Sequence, residues 1–249
     1  TEMTVSFRIM TYNIAAGREA DPGELAAVID SVAPDVVALQ EVADNWEEVS
    51  RSINQADELA RRLDMEAFFA PIYSLESDQG MRHFGLAILT RYPIVRSENH
   101  AIARLSTQHE DASPRSMPGF AEAVIQIDGL DVRIFNTHLD YRSDPTVREM
   151  QVDDMLSEIG DGNGPIVLLG DLNARPGAPE LEALFEGFRD AWQAGDGPGY
   201  TMPAGKPDRR IDYILVSSLC KVRTAFVHRS DASDHLPVIA DVVCCYDKH

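Results

Sequence analysis

Cysteine is nearly absent. The 249 residues contain three, Cys220, Cys244 and Cys245, too few for a disulfide framework, and the adjacent pair is poorly placed to bridge to itself. That scarcity suits a reducing compartment and predicts a cytoplasmic protein. Basic residues are also sparse, with 22 Lys and Arg against 41 Asp and Glu and a formal net charge of −19. Such a field repels polyanions. Because Lys and Arg supply most non-specific affinity for nucleic acid, the balance tilts against duplex DNA as the main partner without ruling it out. No apolar run reaches the roughly 18 residues that a membrane-spanning helix needs. The opening TEMTVSFRIMTYN lacks a basic segment followed by an apolar stretch and a cleavage site, although a start at Thr1 leaves room for a removed leader. Low-complexity segments, short repeats and long linkers are missing too. One domain over residues 1–249 is therefore expected, with no obligate protein partner evident.

What is present is a series of strand-length apolar runs: VSFRIMTYNI, PDVVALQEV, AFFAPIY, FGLAILT, AEAVIQI, DVRIFNTHL, PIVLLGD, RIDYILVS, KVRTAFVH and HLPVIADVV. IQIDGLDVRI places two alternating segments around Asp128-Gly129, a hairpin signal that makes at least part of the sheet antiparallel. Helical patterns are fewer and fall between strands. DPGELAAVIDSV begins with Asp21 as N-cap, Pro22 at the first helical position and Glu24 three residues after the cap. SDPTVREMQVDDMLSEIG repeats the device with Asp144 and Pro145, and Val147, Met150, Met155 and Ile159 recur near helical spacing. Residues 105–120 read as an irregular surface loop. Two sheets packed together with helices outside account for this mixture.

Polar residues of a narrow chemical type sit at or beside the ends of these runs. They are Asn13 after IMTY, Glu41 after VVALQ, His138 and Asp140 after IFNT, Asp171 and Asn173 after VLLG, Asp212 in RIDYILV, and Asp234-His235 before LPVIADV. A lone Asp at a strand end is most often a turn residue. Coincidence across six segments is different: if these ends meet at one rim, they form a cluster of carboxylates, carboxamides and imidazoles. Such a cluster calls for a hard cation such as Mg²⁺ or Mn²⁺, whereas zinc more often recruits Cys and several His.

TYNI, LQEV, NTHLD, LLGDLNARP, RIDYILV and SDHLPVIADV, in this order, resemble the motifs of the endonuclease/exonuclease/phosphatase superfamily, the DNase I-like metal-dependent phosphoesterases. The resemblance implies an α+β fold, a four-layer α/β/β/α sandwich of two mainly antiparallel sheets with the site at one end. It implies Glu41 as principal metal ligand, with Asn13 beside it and Asp234 completing the sphere directly or through water. Asp171 would activate or orient the attacking water, and Asn173 would hold the phosphoryl group. His235 would face the phosphate, His138 would supply a second acid or phosphate contact, and Asp212 would orient one of these two imidazoles; which one is left open. The implied activity is hydrolysis of a phosphodiester or phosphomonoester by in-line water attack. A small or lipid-derived phosphoester is favoured over a nucleic acid, because the chain is short, acidic and free of a Lys/Arg-rich run; a nuclease is the alternative, and a non-catalytic binding protein on the same scaffold a distant third. Arg82, Arg115, Arg142 and Arg148 are the interesting cations. Arg142, two residues past Asp140, Arg148 in the following helix, and Arg115 in the irregular loop are the candidates for substrate phosphate, with Asp140 at the rim.

Overall fold

Along β1 (Glu2–Asn13), Phe7 and Ile9 point to one side and Met10 and Tyr12 to the other, and all four are buried. A strand apolar on both faces must be covered on both. The computed structural model, which describes residues 1–110 and 112–247, shows how. After β1 come α1 (Pro22–Ser31), β2 (Val36–Asp44), α2 (Gln55–Leu63), β3 (Glu66–Ser77), β4 (Gly80–Thr90), β5 (Ile94–Arg104), β6 (Arg115–Ile127), β7 (Leu130–His138) and α3 (Thr146–Ile159). The chain continues through β8 (Ile166–Asp171), α4 (Glu182–Gly187), β9 (Arg189–Asp190), β10 (Asp212–Val216), β11 (Cys220–Val227) and β12 (Val238–Asp247). The strands form two six-stranded sheets, ordered β11-β12-β1-β2-β4-β3 and β5-β6-β7-β8-β10-β9. Phe7, Ile9, Ala38 and Ile88 of the first sheet meet Ala123, Ile134, Leu169 and Ile214 of the second in the central core. Outside, α1 and α2 cover the first sheet with Leu25, Ile29, Leu59 and Leu63. On the other flank, α3 and α4 cover the second with Val152, Met155, Ile159 and Leu184. This is the four-layer sandwich expected from the sequence.

Each sheet contains one parallel pair among antiparallel neighbours: β1 with β2, connected through α1, and β7 with β8, connected through α3. The remaining pairs are antiparallel, so the carboxyl ends of the two parallel pairs lie beside the starts of β10 and β12. Those starts carry Asp212 and, just before Val238, the Asp234-His235 pair.

Local expectations hold unevenly. The Asp21 cap is a full capping box, Asp21 Oδ1 accepting from Glu24 N at 2.8 Å and Glu24 Oε2 accepting from Asp21 N at 3.2 Å. The Asp128-Gly129 hairpin is present, with φ of 48° and 85° at the two turn residues and Ile127 facing Leu130. At α3 the device shifts by one position: Pro145 is the N-cap, and Asp144 precedes it, accepting from Thr146 N at 2.9 Å. Met150 faces solvent, and Arg148 and Gln151 take buried places on that helix instead. Residues 115–120 belong to β6, so the irregular segment ends sooner than its Pro and Ser content suggests. Four elements escape a reading based on apolar runs, two of them the short α4 and β9. The buried face of α2 is mainly Ala56, Leu59, Ala60 and Leu63 behind a polar surface, and β5 is an edge strand with Val95–Glu98 exposed.

Three cysteines make no disulfide framework, as expected, but one bond forms that the cysteine count did not announce. Cys220 and Cys244 are bonded, with Cα atoms 4.0 Å apart, because the β11–β12 register sets them directly opposite each other. Cys245, on the alternate face, is free.

A polar tie crosses the core close to the rim. Asn136 Nδ2 donates to Leu39 O and Ala87 O, both at 2.9 Å, and Asn136 Oδ1 accepts from Gln40 Nε2 at 2.9 Å. Asn136 lies in β7 and its three partners in the opposite sheet, so it fastens the layers at the end where the polar residues gather. Replacing it by Leu strands two buried carbonyls and one amide. Asn136→Leu is expected to lower unfolding stability by about 3 kcal/mol, read from the urea midpoint at unchanged slope.

Candidate active site

Register explains the convergence. Asn13 ends β1 opposite Gln40, His138 ends β7 opposite Asp171, and Asp171 ends β8 opposite Asp212. Glu41 is not at a strand end, as its run suggested, because β2 continues to Asp44. It occupies a bulge where pairing with β4 skips from Leu39 to Val42, and its backbone takes the left-handed φ of 52°. The bulge turns the carboxylate into the cleft, a local conformation that costs energy in a non-glycine residue and marks a site more often than a scaffold.

The cleft encloses about 540 Å³ and is lined by Glu41, His138, Asp140, Asp171, Asn173, Asp234 and His235 among others. Asn13 and Asp212 stand behind this lining, fully buried. Asn13 Nδ2 donates to Glu41 Oε2 at 2.7 Å and Asp171 Oδ2 at 3.2 Å, while its Oδ1 accepts from Ala15 N at 3.0 Å. Asp212 Oδ2 lies 2.8 Å from His235 Nδ1, which settles the pairing left open in the sequence: Asp212 serves His235. His235 Nε2 then points at Asp171 Oδ2, 3.7 Å away, and His138 Nε2 approaches the same oxygen at 3.3 Å. Asn173, at φ 48°, donates its backbone N–H to Asp171 Oδ1 at 3.0 Å and one side-chain N–H to Leu139 O at 2.8 Å. Asp171, Asp212 and His235 offer ligand atoms within 4.8 Å of one another, a spacing that fits a metal ion.

Charge follows from this packing. Burial pushes Asp171 upward, but His138, His235 and the Asn173 N–H outweigh it and hold the carboxyl below the ordinary range. Burial opposes protonation of His138, yet Asp171 raises it. His235 is likewise disfavoured by burial and is lifted to about 10 by Asp212 and Asp171. For Asp212, burial dominates and moves it upward. His235 is therefore an imidazolium at neutral pH beside an Asp171 whose ionised form is favoured, and His138 gains affinity for a proton from the same carboxylate. A raised His235 stabilises the fold fully below its ordinary value of 6.5, and that contribution disappears as pH rises through about 10. In EDTA, the stability difference between wild type and His235→Gln is therefore expected to shrink between those two values, measured by thermal unfolding against pH.

A model of the endonuclease/exonuclease/phosphatase family matches residues 10–235, a span that includes every one of these residues. The chain belongs to this family. The uncharacterized protein YbhP of Escherichia coli K12 is 26% identical to this chain over 258 residues, covering 95% of this chain and 96% of that one. The crystal structure of an endonuclease/exonuclease/phosphatase from Beutenbergia cavernae superposes with a TM-score of 0.76 at 27% identity, covering 96% of this chain and 72% of that chain. A mannosyl-6-phosphatase from Bacteroides thetaiotaomicron shares the fold with a TM-score of 0.72 at 19% identity, over 95% of this chain and 99% of that one.

The arginines expected to reach substrate within the family cleft are mostly engaged elsewhere. Arg142 pairs through Nη1 with Asp140 Oδ1 and lies over the Tyr141 ring, 4.8 Å from its centroid. Arg148 is neither solvated nor in the cleft. It is buried under the rim, bonded to the carbonyls of Asp140 and Arg142 and to Glu180 Oε1 at 3.1 Å. Arg115 opens β6 as an exposed residue and borders a separate depression with Ser106 and His109. Arg82 stacks over Trp46, 4.7 Å from the ring centroid. Two cations absent from the sequence reading line the cleft instead, Arg18 and Arg104. Arg18 is delivered by three successive left-handed residues, Ala15, Ala16 and Gly17, and binds Glu47 at 2.7 Å and Glu41 at 3.5 Å. An aromatic wall was also missed: Trp46, Tyr73 and Phe84, with Trp46 and Phe84 centroids 5.4 Å apart. Each comes from a different strand or turn, so no local motif announces it.

Proposed function

We propose that the protein is a divalent-metal-dependent phosphoesterase that hydrolyses a small or lipid-derived phosphodiester or phosphomonoester by in-line attack of water. The observation that carries this reading is Asp171, with His138 Nε2 at 3.3 Å and His235 Nε2 at 3.7 Å from its Oδ2, at the floor of a cleft into which Glu41 is turned by a backbone bulge. The donor set suits a hard cation, being oxygen-rich and free of thiolate. Glu41 would hold Mg²⁺ or Mn²⁺ together with Asp234, which is exposed on the facing loop, while Asn13 fixes the Glu41 carboxylate from behind through Nδ2. When bound, the metal supplies Lewis-acid stabilisation of the phosphoryl and leaving oxygens.

The chain's own groups divide the remaining work. Asp171 accepts the proton of the attacking water. Asn173, with one side-chain N–H spent on Leu139 O, directs the other at a phosphoryl oxygen. Held by Asp212, His235 donates from Nε2 to the oxygen on which charge develops, and His138 donates from the opposite side. A cleft of about 540 Å³ with an aromatic wall suits a small organic leaving group, and the net charge of −19 disfavours a long polyanion. The phosphatase activity named for the Bacteroides thetaiotaomicron relative in fold is compatible with this class.

The test is turnover of bis-p-nitrophenyl phosphate and a panel of phosphomonoesters with Mg²⁺, Mn²⁺ or EDTA, alongside oligonucleotides at several salt concentrations. Metal-dependent turnover of small esters that exceeds cleavage of oligonucleotides supports the reading. Preferential, steeply salt-dependent cleavage of oligonucleotides would replace it with a nuclease, and equal inertness of wild type and Asp171→Asn with every metal would remove catalysis altogether.

A further inference from the structure

Four basic residues line the cleft, and three have a carboxylate partner within ion-pair distance: Arg18 has Glu47 and Glu41, and His138 and His235 have Asp171. Arg104 is the exception. It forms no ion pair among the described residues. Its side chain is held by two backbone carbonyls, Nη1 donating to His138 O at 3.0 Å and Nη2 to Gly119 O at 3.2 Å, while Nε has no acceptor among the described residues. The residue is only 7% exposed. Asp140, the carboxylate whose charge acts on it, is bound by Arg142.

A buried guanidinium without a counter-ion is expensive to keep, because neither water nor a carboxylate replaces its lost hydration. Burial lowers Arg104 to about 10, which still leaves it cationic at neutral pH. The space around it is built for it. At Gly119, φ is 124° and an added Cβ would lie 3.0 Å from Arg104 Nη2 and 2.4 Å from Ile72 Cγ1, so a side chain there would crowd the guanidinium. Tyr73 OH, fixed by Thr107 N at 3.0 Å and Thr107 Oγ1 at 3.2 Å, lies on the same wall.

We propose that Arg104 is a specificity residue for a second oxyanion on the substrate, a phosphate or a carboxylate separated by a short spacer from the phosphoryl group that is hydrolysed. The spacer is short because Arg104 is bonded to the main chain of His138, whose imidazole faces Asp171. Its two guanidinium nitrogens each retain an N–H not spent on carbonyls, the donor pair that an oxyanion takes bidentately. This deepens the proposed function and rests on its placement of the reacting phosphoryl group in this cleft.

The test compares three competitors at fixed Mn²⁺: glycerol 1-phosphate with one anionic group, 3-phosphoglycerate with an added carboxylate, and propane-1,3-diol bisphosphate with an added phosphate. Inhibition of bis-p-nitrophenyl phosphate turnover and calorimetric binding are both measured. Wild type is expected to bind one or both two-anion competitors about 30-fold more tightly than glycerol 1-phosphate, the scale of a charge-assisted contact. The competitor with the larger gain identifies the oxyanion. In Arg104→Met the ratio falls to near one, in Arg104→Lys part of it survives, and Arg115→Gln, which removes a nearby exposed charge, preserves it. A wild-type ratio near one overturns the inference without recourse to any variant, and so does a ratio that collapses equally in Arg115→Gln. Calorimetry separates the two readings. A preference lost in Arg104→Met in an enzyme that turns over nothing refutes the phosphoesterase and keeps the anion site, whereas turnover without a preference does the reverse.

Discussion

Asp171→Asn is expected to lower kcat about 1,000-fold while leaving the protein folded, as measured with bis-p-nitrophenyl phosphate at saturating Mn²⁺ and by circular dichroism. The size follows from the loss of a proton acceptor, which general-base catalysis values at 10²- to 10⁴-fold. It also follows from the charge lost between His138 and His235, whose raised affinities for protons depend on Asp171. The variant should fold because the new carboxamide oxygen can still accept from Asn173 N, the bond that shapes the turn after β8. A linked shift gives a second readout. Without the carboxylate, both imidazoles lose a partner that raises them, so they should titrate at lower pH than in wild type, visible by NMR. An Asp171→Asn enzyme with wild-type kcat would place the water-activating group elsewhere.

Gly170→Ala should be the most damaging structural change of a single methyl, costing about 4 kcal/mol or more and leaving little folded protein. Gly170 holds a φ of 150°, and a Cβ there would lie 2.0 Å from Thr137 O and 2.9 Å from the Thr137 carbonyl carbon. Both obstacles are backbone in the neighbouring strand, so no side chain can swing aside. To relieve the contact, β8 must move away from β7, and that breaks the pairing that aligns His138 with Asp171. Strain and overpacking add here rather than compensate. Differential scanning calorimetry tests this, with Gly177→Ala as the contrast: nothing lies within 4 Å of an added Cβ there, and only the φ of 87° is unfavourable. Equal stability of the two variants would mean that the strands separate freely at Gly170.

Much of the site was legible in the sequence because its residues are tied to the ends of strands that announce themselves. LLGD predicts a buried strand ending on a carboxylate, and Asp171 is indeed the last residue of β8 and 1% exposed. The hairpin at Asp128-Gly129 and the capping box at Asp21 are similarly local, each decided within a few residues by backbone conformation or a single hydrogen bond. The family motifs extend this legibility to the whole α/β/β/α sandwich.

Contacts between distant residues are another matter. Asn13 and Asp171 are 158 positions apart, and only the packing of the two sheets lets one carboxamide serve both Asp171 and Glu41. The partner of Asp212 depends on which imidazole the β8–β10 register and the loop before β12 bring to it. The turn of Glu41 depends on a bulge against β4, and the Cys220–Cys244 bond on the register of β11 with β12. Arginine is the hardest to place from sequence: its long side chain can reach several layers, so Arg148 ends under the rim and Arg104, in an edge strand without apolar signature, ends in the cleft. The sequence by itself determined which functional groups exist and that strand ends carry them. Tertiary structure decided which of those groups are spent on one another and which, like Arg104, are left with charge to offer a ligand, because hydrogen bonds and ion pairs form between groups that register and sheet packing bring within about 3 Å.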